Sequence, residues 1–437
     1  MSVLSIADIA GDTTTFASLG VPAPLVAVLA SSGITAPFPI QAATLPDALA
    51  GRDILGRAQT GSGKTLGFCL PLVARLADGH TMAGRPRGLV LVPTRELAAQ
   101  VVGVMAPLAR AAGLSVTAVF GGTSQHPQVA ALRGRADIVV ACPGRLADLI
   151  EQGHCHLGDV EITVLDEADH MADLGFLPVV RRLLDATPPE GQRLLFSATL
   201  DGAVDVIARR FLTRPARHSV DGDSRPPEIT HHLLTVTPAD RVAVIATLVG
   251  GEGRALIFTR TKHGARRLAR QLAQEGTLAA ELHGNLTQGA RTRNLEAFAS
   301  GAVRVMVATD IAARGIHVDG IELVIHADPP AEHKAYTHRS GRTARGGAEG
   351  IVVTLQTAAQ VSEVRTLMRK AGVSPQASTA GPGSAILRSI AGPPARRPVR
   401  MAPSARPASP PILAGGQPGG RGAASASASF RGRRRHR

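Results

Sequence analysis

The first residues in the chain that could do chemistry form a glycine-rich loop, Ala58-Gln59-Thr60-Gly61-Ser62-Gly63-Lys64-Thr65. Gly61 and Gly63 would let backbone N–H groups converge on phosphate oxygens, and a following helix would add the positive end of its dipole. Lys64 would reach the β- and γ-phosphates of a nucleotide, and Thr65 would hold Mg²⁺. The pattern is a P-loop with Ala58 in the first glycine position. The alternative is a structural turn that binds no phosphate.

A second group of polar residues, Asp166-Glu167-Ala168-Asp169, directly follows the apolar run Ile-Thr-Val-Leu. A carboxylate at the end of a buried strand is the usual partner of a P-loop. Asp166 would orient Mg²⁺, and Glu167 would position or polarise an attacking water. Two adjacent acids alone could equally form an acidic turn, but the P-loop upstream favours the functional interpretation.

Positive charge for the far side of a γ-phosphate is available in the segment 338–345, His-Arg-Ser-Gly-Arg-Thr-Ala-Arg. Arg342 and Arg345 are three residues apart, so they share a face on a helical turn. Each guanidinium can grip phosphate oxygens with a planar fork. The alternative for this segment taken alone is a solvated basic face.

The elements that must position these residues alternate between short apolar strands and helices such as 95–113. Strands are predicted within 88–94, 115–122, 137–145, 161–169 and 193–199, and then within 255–261, 278–284, 303–310, 321–328 and 350–356. Nearly continuous apolar strands indicate parallel sheets buried on both faces. The sequence therefore predicts an α/β fold with two tandem domains, whose ligands lie at the carboxyl ends of the strands.

Charge is concentrated at one end of this 437-residue chain, whose formal net charge is +14. Residues 373–437 hold 11 Arg and no Lys, Asp or Glu. We expect this segment to be a disordered tail that binds phosphates, because it cannot bury enough apolar surface to offset its ordering entropy. The alternative is a solvated tail without a dedicated partner.

Composition also excludes several classes of protein. With no Trp and a single Tyr, the chain cannot stack a row of bases on aromatic side chains. Three scattered cysteines argue against a disulfide framework or a four-cysteine zinc site and favour a reducing compartment. The N-terminus lacks the basic start of a secretory signal, and no apolar run reaches the roughly 18 residues of a membrane span. We expect a cytoplasmic protein without a membrane partner.

Taken in order, the motifs resemble those of the DEAD-box ATP-dependent RNA helicases over roughly residues 16–372. The matching segments are AQTGSGKT, PTRELAAQ (93–100), DEAD, SAT (197–199), VATDIAARG (307–315) and HRSGRTAR. The segment 33–41, GITAPFPIQ, is similar to the Q motif that distinguishes this family. The resemblance implies two RecA-like domains, at 1–218 and 230–372, with a linker at 219–229 and the tail at 373–437.

The resemblance also implies residue roles. Gln41 would read the edge of adenine, and Phe16, 17 residues before Gly33, would stack on its face. ATP state and RNA binding would be coupled through Asp169, Ser197, Thr199 and His338, and Gly315 would approach the nucleotide. RNA contacts would come from Arg95, Gly121, Gly122, Gly144, Arg145, Thr259, Gln288, Arg291, Thr309 and Asp310.

Several positions depart from the family pattern. Cys142 stands where Thr is usual, Phe38 replaces the Thr before Pro39-Ile40-Gln41, and Asn285 stands where Asp is frequent. His317 occupies a position near the ATP ribose that is generally Asp. A histidine there would weaken nucleotide affinity or make it depend on pH. Every residue assigned to phosphate, Mg²⁺ and water is nevertheless present.

We therefore expect an enzyme that hydrolyses ATP with Mg²⁺ to unwind short RNA duplexes or remodel RNA–protein complexes. It would bind the RNA backbone without strong sequence preference, act as a monomeric core and work with ribosomal or RNA-decay complexes. Three alternatives stay open at this point: a DNA helicase, an ATP-gated RNA clamp that does not unwind, and an RNA chaperone acting through its tail alone.

Overall fold

Two sheets organise the protein, each of seven parallel strands, with helices on both faces. The computed structural model describes residues 14–58, 61–200, 202–220, 229–313, 318, 320–344 and 348–392. Within these ranges every helix is too short or too polar to span a membrane.

The first sheet has the order β3-β4-β2-β5-β6-β1-β7. Its strands are β1 Ile54–Arg57, β2 Gly88–Leu91, β3 Val116–Val119, β4 Ile138–Ala141, β5 Ile162–Leu165, β6 Gln192–Ser197 and β7 Ala216–Ser219. The helices of this domain are α1 Ala23–Ser31, α2 Pro39–Leu49, α3 Lys64–Leu76, α4 Arg95–Ala111, α5 His126–Arg133, α6 Pro143–Glu151, α7 Ala168–Asp173, α8 Leu177–Asp185 and α9 Gly202–Phe211.

The second sheet repeats this arrangement with the order β10-β11-β9-β12-β13-β8-β14. Its strands are β8 Ile229–Thr235, β9 Arg254–Thr259, β10 Ala279–Leu282, β11 Val305–Thr309, β12 Ile321–His326, β13 Gly350–Gln356 and β14 Ala377–Thr379. The helices are α10 Arg241–Leu248, α11 Lys262–Gln274, α12 Gln288–Ala299, α13 Asp310–Ala313, α14 His333–Ser340, α15 Val361–Lys370 and α16 Ala385–Ala391.

Both sheets are buried on their two faces, as the apolar strands predict. In β2 the alternate residues Leu89 and Leu91 join one apolar cluster, whereas Val90 joins the other. In β9, Ile257 and Phe258 are divided in the same way. Because side chains alternate across a strand, one run of apolar residues supplies both cores. The predicted fold class, two tandem parallel α/β domains, is confirmed.

Two predicted boundaries need correction. The linker assigned to 219–229 overlaps the sheets at both ends, because Ser219 closes β7 and Ile229 opens β8; positions 221–228 lie outside the described residues. The tail assigned to 373–437 begins too early. Strand β14 pairs with β8, and Leu387 and Ile390 of α16 are buried in the core of the second domain. The remainder of the predicted tail, 393–437, lies outside the described residues.

Candidate nucleotide and RNA site

The P-loop joins the carboxyl end of β1 to the start of α3, as the sequence predicts. Gly61 and Gly63 have φ angles of +89° and +85°, which only glycine adopts without strain. The Lys64 side chain is buried, and its ammonium donates a 2.8 Å hydrogen bond to the Ala58 carbonyl across the loop. Ser62 and Thr65 lie partly exposed beside it, and Gln59 and Thr60 fall outside the described residues. The Lys64 ammonium and the N-terminus of α3 therefore lie at the same glycine-rich loop, which we call the nucleotide cradle.

Gln41 links the Q motif to the P-loop by a hydrogen bond. Its Nε2 donates to the Gly63 carbonyl at 2.8 Å, and its Oε1 accepts from the Phe38 backbone N–H at 2.9 Å. The residue is almost fully buried in the first turn of α2. Gln41 is therefore next to the nucleotide cradle, as predicted, although both ends of its amide are bonded to protein.

Phe16 lies in the apolar core of the first domain. Its side chain is only 2% exposed and belongs to the apolar cluster that includes Val21, Leu25 and Leu29. Phe16 is therefore a core residue in this structure, and its assignment to adenine stacking stays a prediction.

The acidic residues stand at the end of β5, in the same edge of the sheet as the P-loop. Asp166 and Glu167 are 3% and 6% exposed, and Glu167 has a left-handed backbone with φ +51°. The Glu167 N–H donates to Asp166 Oδ1 at 3.0 Å. A non-glycine residue in this conformation is uncommon and often marks a functional site.

A histidine that the sequence analysis missed supports the glutamate. The Nδ1 of His170 lies 2.9 Å from Glu167 Oε2, one turn along α7, and both side chains are buried. Its other ring nitrogen is buried without a hydrogen-bond partner among the described residues. The i, i+3 spacing could have indicated this contact.

Asp169 brings the acidic segment and the residues after β6 together. Its Oδ2 accepts from the N–H of Thr199 at 3.1 Å and from the Thr199 hydroxyl at 3.4 Å. Its own N–H donates to Ser197 Oγ at 3.2 Å. The three residues assigned to coupling in the first domain thus form one hydrogen-bonded group beside Glu167.

The residues assigned to RNA in the first domain follow β2, β3 and β4: Arg95 begins α4, Gly121 and Gly122 lie in the loop after β3, and Gly144 and Arg145 lie in the first turn of α6. The Arg95 guanidinium packs directly over Gly122, where a Cβ would collide with it. Space around Gly121 and Gly144 is open, so a backbone or phosphate can approach closely. Arg145 donates to the Thr123 carbonyl at 3.4 Å.

Gln128, which the sequence analysis did not single out, holds the loop after β3 in place. Its amide accepts from the Phe120 N–H and donates to the Phe120 and Ser124 carbonyls and the Thr123 hydroxyl, at 3.0–3.3 Å. Gln128 is eight residues from Phe120 in the sequence, so no local motif predicts this contact. This loop is therefore fixed before any ligand arrives.

Cys142 takes the N-cap position of α6 without a side-chain hydrogen bond. Burial, with the Glu96 carboxylate nearby, raises the pKa of its thiol to about 12. Burial raises the pKa of Cys155 to about 12 as well. These thiols are therefore protonated near neutral pH, and Cys142 offers no strong acceptor to its helix.

In the second domain, Asp310 pairs with an arginine of the segment 338–345. Both oxygens of its carboxylate accept hydrogen bonds from the buried Arg339, at 2.5 and 2.7 Å. We therefore interpret Asp310 as a residue that positions Arg339, and its assignment to RNA stays a prediction. Thr259 and Thr309 end the neighbouring strands β9 and β11 in register with each other.

Arg291 has a partner in the first domain that its motif does not predict. Its Nε donates to Glu96 Oε1 in the first domain at 2.8 Å, and Gln288 lies 3.4 Å from the same oxygen. The side chains of Arg291 and Glu96 are 6% and 8% exposed. Arg291 is therefore a contact between the domains in this conformation, and its assignment to RNA stays a prediction.

The segment 338–345 also meets the first domain. His338 Nδ1 lies 3.6 Å from Asp173 Oδ2, in the helix that carries the acidic residues. Arg342 is buried and lines a small cleft with Phe258, Asp310, Ala313, Ala335, His338 and Arg339. Arg345, Gly315 and His317 lie outside the described residues.

Comparison with known proteins agrees with this arrangement. Family models match residues 38–206 as a DEAD/DEAH box helicase and residues 240–347 as a helicase conserved C-terminal domain. A protein of Pseudomonas syringae named ATP-dependent RNA helicase RhlB is 40% identical over 72% of this chain and 82% of its own length. The chain spans about half of two plant relatives, covering 45% of the rice DEAD-box ATP-dependent RNA helicase 28 and 49% of the maize chloroplastic helicase 3A.

Solved structures show the same two-domain fold. Dbp5 of S. cerevisiae, bound to RNA and ADP BeF3, has a TM-score of 0.73, 25% sequence identity and coverage of 86% of this chain and 100% of its own. Mss116p, bound to ssRNA and AMP-PNP, has the same TM-score and identity, with coverage of 86% and 81%. The ordered motifs, the paired parallel sheets and both family models agree: the chain belongs to the DEAD-box ATP-dependent RNA helicases.

Proposed function

We propose that this ATP-dependent RNA helicase hydrolyses ATP at the edge of its first sheet and uses the cycle to separate short RNA duplexes or remodel RNA–protein complexes. The observation that carries the proposal is the hydrogen-bonded group of Asp169, Ser197 and Thr199. It lies two residues from Glu167, so a change at the nucleotide is passed directly to the segment 197–199.

The oxygen ligands at the loop suit Mg²⁺. The hydroxyl of Thr65 and the carboxylate of Asp166 would hold the ion, which takes its remaining ligands from phosphates and water. Bound there, it would neutralise charge on the phosphates. Lys64 leaves the Ala58 carbonyl to bind the β- and γ-phosphates, and Glu167 positions the water and takes up its proton.

Closure of the two domains would complete the site. Arg342, held near Arg339 and Asp310, supplies positive charge to the transferred phosphoryl group, with Arg345 beside it in sequence. Contacts of the kind made by Arg291 with Glu96 and by His338 with Asp173 favour the closed arrangement. ATP and RNA drive closure because each binds the closed state better, and product release reverses it.

RNA would be held by its backbone. Open space at Gly121 and Gly144, with Arg95 and Arg145 nearby, suits phosphate contacts, which carry no sequence information. We therefore propose little sequence preference, with 2′-hydroxyls distinguishing RNA from DNA. We also propose a monomeric core acting in the cytoplasm on ribosomal or RNA-decay complexes.

The test is steady-state ATP hydrolysis without nucleic acid, with single-stranded RNA and with DNA of the same sequence. Strong stimulation by RNA alone is expected, together with ATP-dependent separation of a short RNA duplex. Lys64→Ala should lose hydrolysis by about 100-fold or more, since it removes the phosphate-binding ammonium; Lys370→Ala, on a distant helix, is the matched control. Equal stimulation by DNA would indicate a general translocase, and hydrolysis without strand separation would indicate an ATP-gated clamp.

A further inference from the structure

Helix α11 of the second domain presents a basic face to solvent. The helix contains Lys262, His263, Arg266, Arg267 and Arg270, and it has no acidic residue. At 3.6 residues per turn the three arginines fall within about 100° of arc, on the side that faces away from the core. All five residues are exposed, and none has an Asp or Glu partner within the part of the chain that the structure describes. The positive charge of this face is therefore uncompensated.

The stability of the helix does not explain this composition. Arg270 lies one turn from both Arg266 and Arg267, at spacings where like charges repel each other. Lys262 stands in the first turn, where the positive end of the helix dipole disfavours a cation. Helix α15 of the same domain has the favourable arrangement, with an acid in its first turn and cations in its last. A helix face that works against its own stability indicates a ligand of opposite charge.

The basic face begins beside residues assigned to RNA in the second domain. Thr259 ends β9, two residues before the N-cap residue of α11. Lys262 Nζ donates to Asn285 Oδ1 at 3.0 Å, in the segment that leads to Gln288 of α12. Because Asn285 stands where Asp is frequent, the partner of Lys262 is neutral and leaves its charge in place. The face therefore continues from the assigned RNA residues along the length of α11.

We propose that the exposed face of α11 binds the phosphates of RNA that extends beyond the strand held by the motif residues. The inference rests on the proposed RNA-binding function and adds a second stretch of backbone contact to it. The 13 residues of α11 span about 20 Å. Phosphates of a stacked strand advance by about 3.4 Å each, so the face matches about six further nucleotides. Since phosphate contacts carry no sequence information, this surface adds affinity for longer RNA without adding specificity.

The test is the combined variant Arg266→Gln, Arg267→Gln and Arg270→Gln, in the whole chain. Glutamine keeps helix propensity and removes the repulsion, so the variant should melt at the same or a higher temperature. Its affinity is measured with a non-hydrolysable ATP analogue on single-stranded RNAs of increasing length. The variant should equal the unsubstituted chain on the shortest RNA that stimulates hydrolysis. It should then fall behind over about six further nucleotides and stay about 10- to 100-fold weaker at about 0.1 M salt. The logarithm of its affinity for long RNA should fall less steeply with the logarithm of salt, by about 2 for three lost contacts.

The matched control removes the same charge from α15, through Arg365→Gln, Arg369→Gln and Lys370→Gln. The apolar side of α15 packs in the other core cluster, so this helix lies on the opposite face of the second sheet from α11. The control should keep both the affinity and its dependence on salt, and lysine at the three α11 positions should preserve binding because charge is retained.

Equal affinity of the glutamine variant and the unsubstituted chain at every RNA length would overturn the proposal. The face would then be solvated or would contact an acidic protein. The proposed function fails through a different result, since it requires that short RNA stimulates ATP hydrolysis by the unsubstituted chain. The two proposals can therefore be refuted separately.

Discussion

His170 shows how a single buried side chain can control the geometry of hydrolysis. Its Nδ1 lies 2.9 Å from Glu167 Oε2, and Glu167 is held in a left-handed backbone conformation that fixes where its carboxylate can point. No phosphate, Mg²⁺ or RNA is expected to touch the imidazole. We therefore interpret His170 as a positioning residue for the carboxylate that orients the water.

His170→Leu should lower kcat for ATP hydrolysis about 10- to 100-fold, because the Glu167 carboxylate loses the partner that fixes its rotamer. The KM for ATP should stay within about twofold, since phosphate binding rests on Lys64. His170→Asn, which keeps a nitrogen near the position of Nδ1, should recover most of the rate. Stopped-flow phosphate release at saturating RNA measures the effect. A thermal shift without a change in kcat would mean that His170 only fills space.

At this scale the sequence predicts which residues belong to the site better than it predicts their partners. The P-loop, the acidic segment and Ser197 with Thr199 come together as their motifs indicate. The sequence does not predict the burial of Phe16 in the core or the pairing of Arg291 with Glu96. Burial of a ring and pairing with a residue 195 positions away depend on tertiary packing, which no local spacing records.

At the scale of elements, α4 and α12 are joined across the two domains by the buried pair of Glu96 and Arg291. Each charge is costly to bury alone, so the pair holds only when both helices are in place. The contact therefore depends on the arrangement of α4 and α12 seen in this structure.

A double-mutant cycle with Glu96→Gln and Arg291→Gln should give a coupling energy of about 1.5–3 kcal/mol in the affinity for RNA with a non-hydrolysable ATP analogue. Each single variant leaves one buried charge unpaired, so the two single losses should sum to more than the loss in the double variant. ATP affinity without RNA should be unchanged. Additive losses would mean that Arg291 contacts RNA directly, as its motif alone suggests.

The strands of both sheets are predictable because apolar, β-branched runs of four to seven residues recur between helices. The edge strand β14 and the short helix α16 were missed for a physical reason. Both lie in a segment without acidic residues that merges in composition with the basic stretch after it. Only Leu387 and Ile390, buried against the second sheet, mark α16 as part of the domain.

At the scale of the whole molecule, the end of α16 separates residues that pack in the second domain from an arginine-rich segment outside the described residues. Burial of Leu387 and Ile390 is worth about 3–6 kcal/mol together before the cost of ordering the helix. Residues 393–437 contain ten Arg and no acidic residue. Truncation after Gly372 and truncation after Gly392 should therefore have different effects.

A chain ending at Gly392 should keep its melting temperature and its ATPase rate at saturating RNA, but bind RNA more weakly. The logarithm of its affinity should fall less steeply with salt, by about 0.7 for each lost phosphate contact on single strands. A chain ending at Gly372 should in addition melt at a lower temperature, because it loses β14 and α16. In the untruncated chain, replacing the ten arginines of 393–437 by lysine should preserve the dependence of RNA affinity on salt. Replacing them by glutamine should give the same weaker salt dependence as truncation after Gly392. An unchanged slope in the glutamine variant would show that the tail does not bind RNA, and that the folded domains alone set its affinity.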